Sequence, residues 1–237
     1  MRVCIGAGVV ALAIAMSGCR GRIPAVTPPA NAEPPAAASP APAAPAAPAP
    51  PDVTVVGPDG HAEAIERRVL ELAAGAKGRL AADDVGYYMD VQQARLQRLG
   101  KDRVRVVRTG ARLVLTLVTG SGYDSGGFRL TKEAEATLAE LAGTLREFNK
   151  TLVSVHGHSD ASGGQAANVT LSERRALEVA RFLAENGVDR RRLLVVGRGP
   201  LDPLASNETE EGRERNRRVE VHIDPIQIRG ASPPRTP

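Results

Sequence analysis

Residues 151–187 read TLVSVHGHSDASGGQAANVTLSERRALEVARFLAENG, and few folds accommodate that order. An apolar run around Val153 and Val155 predicts a strand. A polar, glycine-bearing loop with Asp160 follows. Thr170 and Glu173 then form a capping-box pair, which predicts a helix beginning at that point. Ala176, Val179, Ala180 and Leu183 space one apolar stripe along the helix, and Asn186-Gly187 supplies its stop. Leu193 to Val196 is continuously apolar, as in a strand buried on both faces. Strand, helix and strand joined by short links predict a βαβ crossover. Asp160 and Arg175 flank the loop, and their spacing leaves two readings open. They bridge each other, or they grip a ligand that carries both charges.

The flanking sequence extends the pattern. Val104 and Val106, then Leu113, Leu115 and Leu117, alternate about Thr109-Gly110, which predicts a β-hairpin with one buried face. Thr131 is placed to cap a helix whose stripe is Ala134, Leu138, Leu141, Leu145 and Phe148, ended by Asn149. After a long polar loop, Val219, Val221 and Ile223 alternate in a last strand. The expected fold class is α/β (α+β): a two-layer sandwich on a mixed sheet with βαβ crossovers, over residues 103–224. Residues 225–237 read as a flexible tail.

Upstream, Ala62 to Ala76 and Asp83 to Leu99 give approximate helical stripes, so residues 53–100 read as a helical linker region. Before them, the Ala/Pro repeats have no apolar periodicity and cannot bury a core. About thirty such residues in extended form reach ~90 Å. At the start, Arg2, an apolar run from Ile5 to Met16 and the small Ser17-Gly18 have the layout of a signal peptide over residues 1–18. Met16-Ser17-Gly18-Cys19 resembles a bacterial lipobox, although leucine is usual where Met16 stands. That resemblance implies lipid on Cys19, a lipidated N-terminus and tether over residues 19–52, and, with Arg20 rather than aspartate next, an outer-membrane destination.

Composition narrows the chemistry. Both cysteines, Cys4 and Cys19, lie in the first twenty residues, so the folding part has no disulfide or cysteine metal site. The formal charge is +4, with acids interleaved among the bases, so no nucleic-acid footprint is expected. His156-Gly-His158-Ser-Asp160 resembles the opening of a two-metal hydrolase motif, but Ala161 stands where a further ligand is needed. Neither Ser159 nor Ser172 sits in a nucleophile elbow. No enzyme activity, cofactor or metal is expected. Arg174 and the run Arg190 to Arg192 read as solvated.

The longer pattern GHSDASG, NVTLSERRALEVARFL, GRGPLDPLASN and EGRERNRRVEVHI resembles the OmpA C-terminal-like domain shared with Pal-type lipoproteins. The resemblance spans residues 112–224, with its spaced motifs in the family's order. Two departures are Ser159 for the commoner threonine and Ala167 for a frequent tyrosine. It implies peptidoglycan as partner, through the diaminopimelate of the stem peptide, whose free end bears an ammonium and a carboxylate. Carried onto this sequence, Asp160 would accept from the ammonium and Arg175 would hold the carboxylate near a helix N-terminus. Asn168 would shape the loop, and Ser159, Asn216 and Arg217 would line the same site. The implied role is a lipid-anchored tether between outer membrane and cell wall. The alternative is an envelope assembly or scaffold component, Tol-Pal-like or secretory, that uses the domain only as its anchor and meets protein partners through residues 62–99.

Overall fold

Alternation at the hairpin places its two strands where the apolar spacing puts them. A computed structural model describes residues 53–75, 79–99, 104–118, 122–123 and 127–227. The expected signal peptide, Cys19 and the expected Ala/Pro tether lie outside these residues. The strands are β1 (Thr54–Val56), β2 (Val104–Thr109), β3 (Arg112–Val118), β4 (Thr151–His158), β5 (Leu193–Gly199) and β6 (Arg218–Pro225). The helices are α1 (His61–Ala73), α2 (Asp84–Leu96), α3 (Lys132–Glu147), α4 (Gln165–Glu185) and α5 (Glu210–Asn216). β2 and β3 pair antiparallel in register from Thr109↔Arg112, and Gly110, at φ 62°, makes the turn that a Cβ would resist.

One mixed sheet runs in the order β1-β5-β4-β6-β3-β2. β4 and β5 are parallel neighbours joined through α4, and β6 pairs antiparallel with both β4 and β3. This is the expected α/β architecture on a mixed sheet. Alternate residues of the central strands go to two cores. Val153, Val155, Leu193 and Val195 pack under α3 and α4, with Leu138, Leu145, Val179 and Leu183. Leu152 and Leu194 face the other way and meet Ile65 and Ala73 of α1. β4 is buried at all eight positions because both of its faces are covered. α1 thus adds partial cover to the second face of the two-layer sandwich.

Helix α4 lies almost against the sheet backbone. A Cβ on Gly157 would stand 1.9 Å from the carbonyl oxygen of Ser172. The helix also begins earlier than the capping box suggests. Its first residue is Gln165, after Gly163 turns the chain at φ 84°, and Gly164 is the N-cap without a side-chain bond. Thr170 lies inside the helix and donates its hydroxyl to Ala166 O at 3.0 Å, a back-bond that competes with capping. Arg175 therefore stands about three turns into α4 rather than near its N-terminus.

The described residues among 53–99, expected as a helical linker, are instead part of the folded domain. β1 extends the sheet in parallel with β5, Thr54 opposite Leu194, and Val53, Leu80, Val85, Met89, Leu96 and Leu99 enter the main core. The tail also begins later than residue 225. Ile226 is buried, donates to Lys150 O at 3.0 Å and accepts from Leu80 N–H at 2.8 Å. The 200–215 segment, expected as loop throughout, closes with α5, capped by Thr209.

The core face of α2 contains one misfit. Gln92 is fully buried, and neither its amide nitrogen nor its oxygen finds a partner among the described residues. A buried donor or acceptor left unmade costs ~1–3 kcal/mol. Gln92→Leu keeps most of the volume and removes both groups. It should raise the stability by about 1–2 kcal/mol, seen as a higher denaturant midpoint; a lower midpoint would refute this.

Candidate functional site

The loop after β4 is built around the carboxylate of Asp160. Its Oδ1 accepts from Ser162 N–H at 2.8 Å, an Asx-type closure of the loop. Asn168, in the first turn of α4, donates through Nδ2 to Ser162 O at 2.8 Å and Asp160 O at 3.3 Å. These two bonds hold the 160–162 loop against the start of α4. The Ser159 hydroxyl donates to Asp160 O at 2.9 Å, and the residue is buried, so its hydroxyl shapes the backbone rather than facing outward. Ala161 N–H donates to the Asn207 Oδ1, which ties the 160 loop to the one before α5.

Two guanidiniums approach this carboxylate, in an arrangement that differs from the sequence reading. Arg217 donates Nη1 to Asp160 Oδ2 at 2.9 Å and Nη2 to Glu210 Oε1 at 2.8 Å. The bond to Glu210 first, and also that to Asp160, raises the Arg217 pKa above the ordinary arginine value. Among the described residues no ion pair joins Asp160 to Arg175. Arg175 is 6% exposed, donates Nε to Gly127 O at 3.0 Å and lies 5.3 Å from the Tyr123 ring centroid. Burial pushes its pKa down, Arg217 pushes the same way, and Asp160 opposes. Tyr123 in turn donates its hydroxyl to Arg175 O at 3.0 Å. A guanidinium stacked on a ring and fixed by one backbone acceptor is pre-oriented, so little rotamer freedom remains to be lost when it meets a carboxylate.

Asn216 is a correction. It is fully buried, and its side-chain amide is saturated: Oδ1 accepts from Leu204 and Ala205 N–H, and Nδ2 donates to Ala205 O and Asn207 Oδ1. An amide with two donors and two acceptor positions filled has nothing left for a ligand. It staples the 204–207 loop instead. Glu210 and Tyr123 were missed from sequence: Glu210 lay in a segment read as loop, and Tyr123 is separated from Arg175 by fifty residues of chain.

The surroundings are scaffold. His156 stacks on His222 with ring centroids 4.0 Å apart, and both His156 and His158 are buried. No cluster of three potential metal ligands occurs among the described residues. Arg174 is half-buried, with its guanidinium 5.9 Å from the Phe128 ring centroid. Arg192, expected in a solvated turn, is 4% exposed and reaches four acceptors.

A buried carboxylate and a pre-oriented arginine behind one β4-loop-α4 turn define an OmpA-type module. Residues 122–217 match the model of the OmpA family and form an OmpA family domain. The chain is 41% identical over 143 residues to the probable lipoprotein YiaD of Escherichia coli (strain K12), covering 60% of this chain and 65% of that protein. It is 34% identical over 112 residues to the peptidoglycan-binding protein ArfA of Mycobacterium tuberculosis, covering 46% of this chain and 34% of that one. Among solved structures it resembles the cell wall anchor of the T6SS from Pseudomonas aeruginosa, at 34% identity and TM-score 0.51. That match covers 56% of this chain and 99% of the other. The chain thus spans just under two thirds of YiaD and about a third of ArfA.

Proposed function

We propose that this chain binds peptidoglycan non-covalently through the diaminopimelate of the stem peptide. Anchored by lipid on Cys19, it ties the outer membrane to the cell wall. The observation that carries the reading is the juxtaposition of an oriented Asp160 carboxylate with two arginines, one of them, Arg175, buried and held by Gly127 and Tyr123. The free end of diaminopimelate presents an ammonium and a carboxylate on one carbon. Asp160 accepts from the ammonium, and Arg175 and Arg217 face the carboxylate. Arg217 leaves Asp160 to do so, exchanging one charge-assisted bond for another. Similarity to a peptidoglycan-binding protein and to a cell wall anchor supports the ligand. Similarity to a probable lipoprotein supports the anchor.

Co-sedimentation with purified diaminopimelate-type sacculi tests this reading. Asp160→Asn keeps the Ser162 bond but removes the charge, and Arg175→Gln removes the guanidinium. Each should weaken pelleting about 10- to 100-fold, the loss of one charge-assisted bond. Free meso-diaminopimelate should compete with wild-type chain. Undiminished pelleting by both variants would sink the site assignment.

A second reading, an assembly component moored by the same clamp, draws on Tyr87 and Val91, which are 77% and 40% exposed on α2. Deleting residues 53–100 does not separate the readings, because that deletion would remove β1 and core side chains. A Tyr87→Ser, Val91→Ser chain leaves the clamp intact and does separate them.

A further inference from the structure

The sheet face opposite α4 contains a cavity of ≈ 500 Å³ that the clamp does not use. That size falls within the ~300–1,000 Å³ of small-molecule sites. Alternation along β6 and β4 puts Arg218, Glu220, His222 and His158 in its lining, with Leu204 also lining it.

Among the described residues, three buried polar atoms there lack a hydrogen-bond partner: Arg218 Nη1, His158 Nε2, which lies 3.8 Å from Glu220 Oε2, and His222 Nδ1. Their hydrogen-bonding character follows from their other contacts. Arg218 is 2% exposed; its Nε donates to Glu220 Oε1 at 2.7 Å and its Nη2 to Asp202 O at 3.1 Å, so Nη1 is a donor awaiting an acceptor. His158 is 3% exposed, with Nδ1 at 3.3 Å from Leu201 O. A carbonyl only accepts, so Nδ1 has the proton and Nε2 presents a lone pair. Burial pushes the His158 pKa down to about 4, which keeps the ring neutral at pH 7. His222 Nε2 lies 2.9 Å from Glu220 Oε2, so in its neutral tautomer the ring presents Nδ1 as an acceptor too. Burial raises the Glu220 pKa, but bonds from His222 and Arg218 outweigh it and hold the carboxyl below the carboxylate range.

The cavity therefore offers a fixed donor beside fixed acceptors. A simple anion would satisfy Arg218 but face two lone pairs and the Glu220 carboxylate. A metal cation would suit the imidazoles but face Arg218, Arg198 and Arg112, which also line the cavity. A hydroxyl group both accepts and donates, so it meets the two demands without a change of protonation. We propose that this cavity is a second binding site, for an uncharged, hydroxyl-rich ligand of mono- or disaccharide size. It stands independently of the diaminopimelate clamp, although Arg218 follows Arg217 and His158 precedes Asp160 by two residues.

The test is an amide-shift titration of the 15N-labelled chain with N,N′-diacetylchitobiose and, separately, with peptide-free glycan strands from sacculi. These arms distinguish a small free saccharide from wall glycan. Inorganic phosphate, zinc ion and meso-diaminopimelate are run alongside. Saturable shifts at Glu220, His222 and residues 201–204 are expected with at least one saccharide. Leu204→Trp alters a side chain 61% exposed at the cavity, and His222→Phe keeps the stacked ring while losing the acceptor. Each should weaken the response at least ten-fold while diaminopimelate still shifts residues 160–163. The proposal is overturned if neither saccharide shifts the cavity amides, if phosphate or zinc alone does so, or if the saccharide response survives in both variants. Saccharide shifts without a diaminopimelate response would leave this site standing and remove the clamp; the reverse would remove this site alone.

Discussion

Replacing Arg192 by methionine is expected to cost about 3–5 kcal/mol of stability, because several buried acceptors lose their donor at ~1–3 kcal/mol each. The guanidinium donates to Thr151 O at 2.6 Å, Leu145 O at 2.8 Å, Phe148 O at 2.9 Å and Thr151 Oγ1 at 3.0 Å. Leu145 and Phe148 belong to the last turn and C-cap of α3, where carbonyls lack intrahelical partners and the dipole favours a cation. Thr151 opens β4. One side chain therefore joins the end of a helix to the start of the central strand. Burial lowers its pKa to about 10, still well above neutrality. Arg192→Lys should recover only part of the loss, because an ammonium has three donors and no planar fork. Chemical unfolding of the three chains measures it, and a methionine variant within about 1 kcal/mol of wild type would refute the account.

Gly157→Ala is expected to be comparably severe for a steric reason. The added Cβ falls 1.9 Å from Ser172 O and 2.7 Å from its carbonyl carbon. Both neighbours are backbone, so no side-chain rotation relieves the clash; β4 and α4 must separate. Overpacking usually costs ~1–3 kcal/mol, and a contact between two backbones belongs at or above the top of that range. The change lies three residues before Asp160, so the strain reaches the loop that orients its carboxylate. A fall of about 3 kcal/mol in unfolding free energy is expected, with weakened sacculus binding in the fraction that folds. A melting temperature equal to that of wild type would show that the helix can lift away at no cost.

The fold was legible wherever a local rule and a tertiary need agreed. Val104 to Leu117 alternate because one hairpin face is buried, and Leu193 to Val196 are all apolar because β1 and β4 flank a strand covered on both sides. It was illegible where a long-range contact decided. β1 is three residues long, and its reason to exist is the edge of β5, about 140 residues further along the chain. Thr170 and Glu173 satisfy a capping pattern, yet Gly163 lets the helix start six residues sooner, with Gly164 as its N-cap. At the site, Asp160, Asn168 and the two arginines could be named from their motif. The pairing of Asp160 with Arg217 could not, since it depends on where the chain between β5 and β6 returns. Arg192 shows the same limit, because three consecutive arginines read as solvated until α3 is seen to end above one of them.

The position of β1 has a mechanical consequence. Val53 lies at the end of the sheet where β1, β5 and β4 begin, while Asp160 follows the end where β4 finishes. The eight residues of β4 separate the two by roughly 25 Å. A load applied between residue 53 and a ligand held at Asp160 therefore runs along the strands. It puts the β1–β5 hydrogen bonds in shear, where they must fail together, rather than peeling them open one at a time.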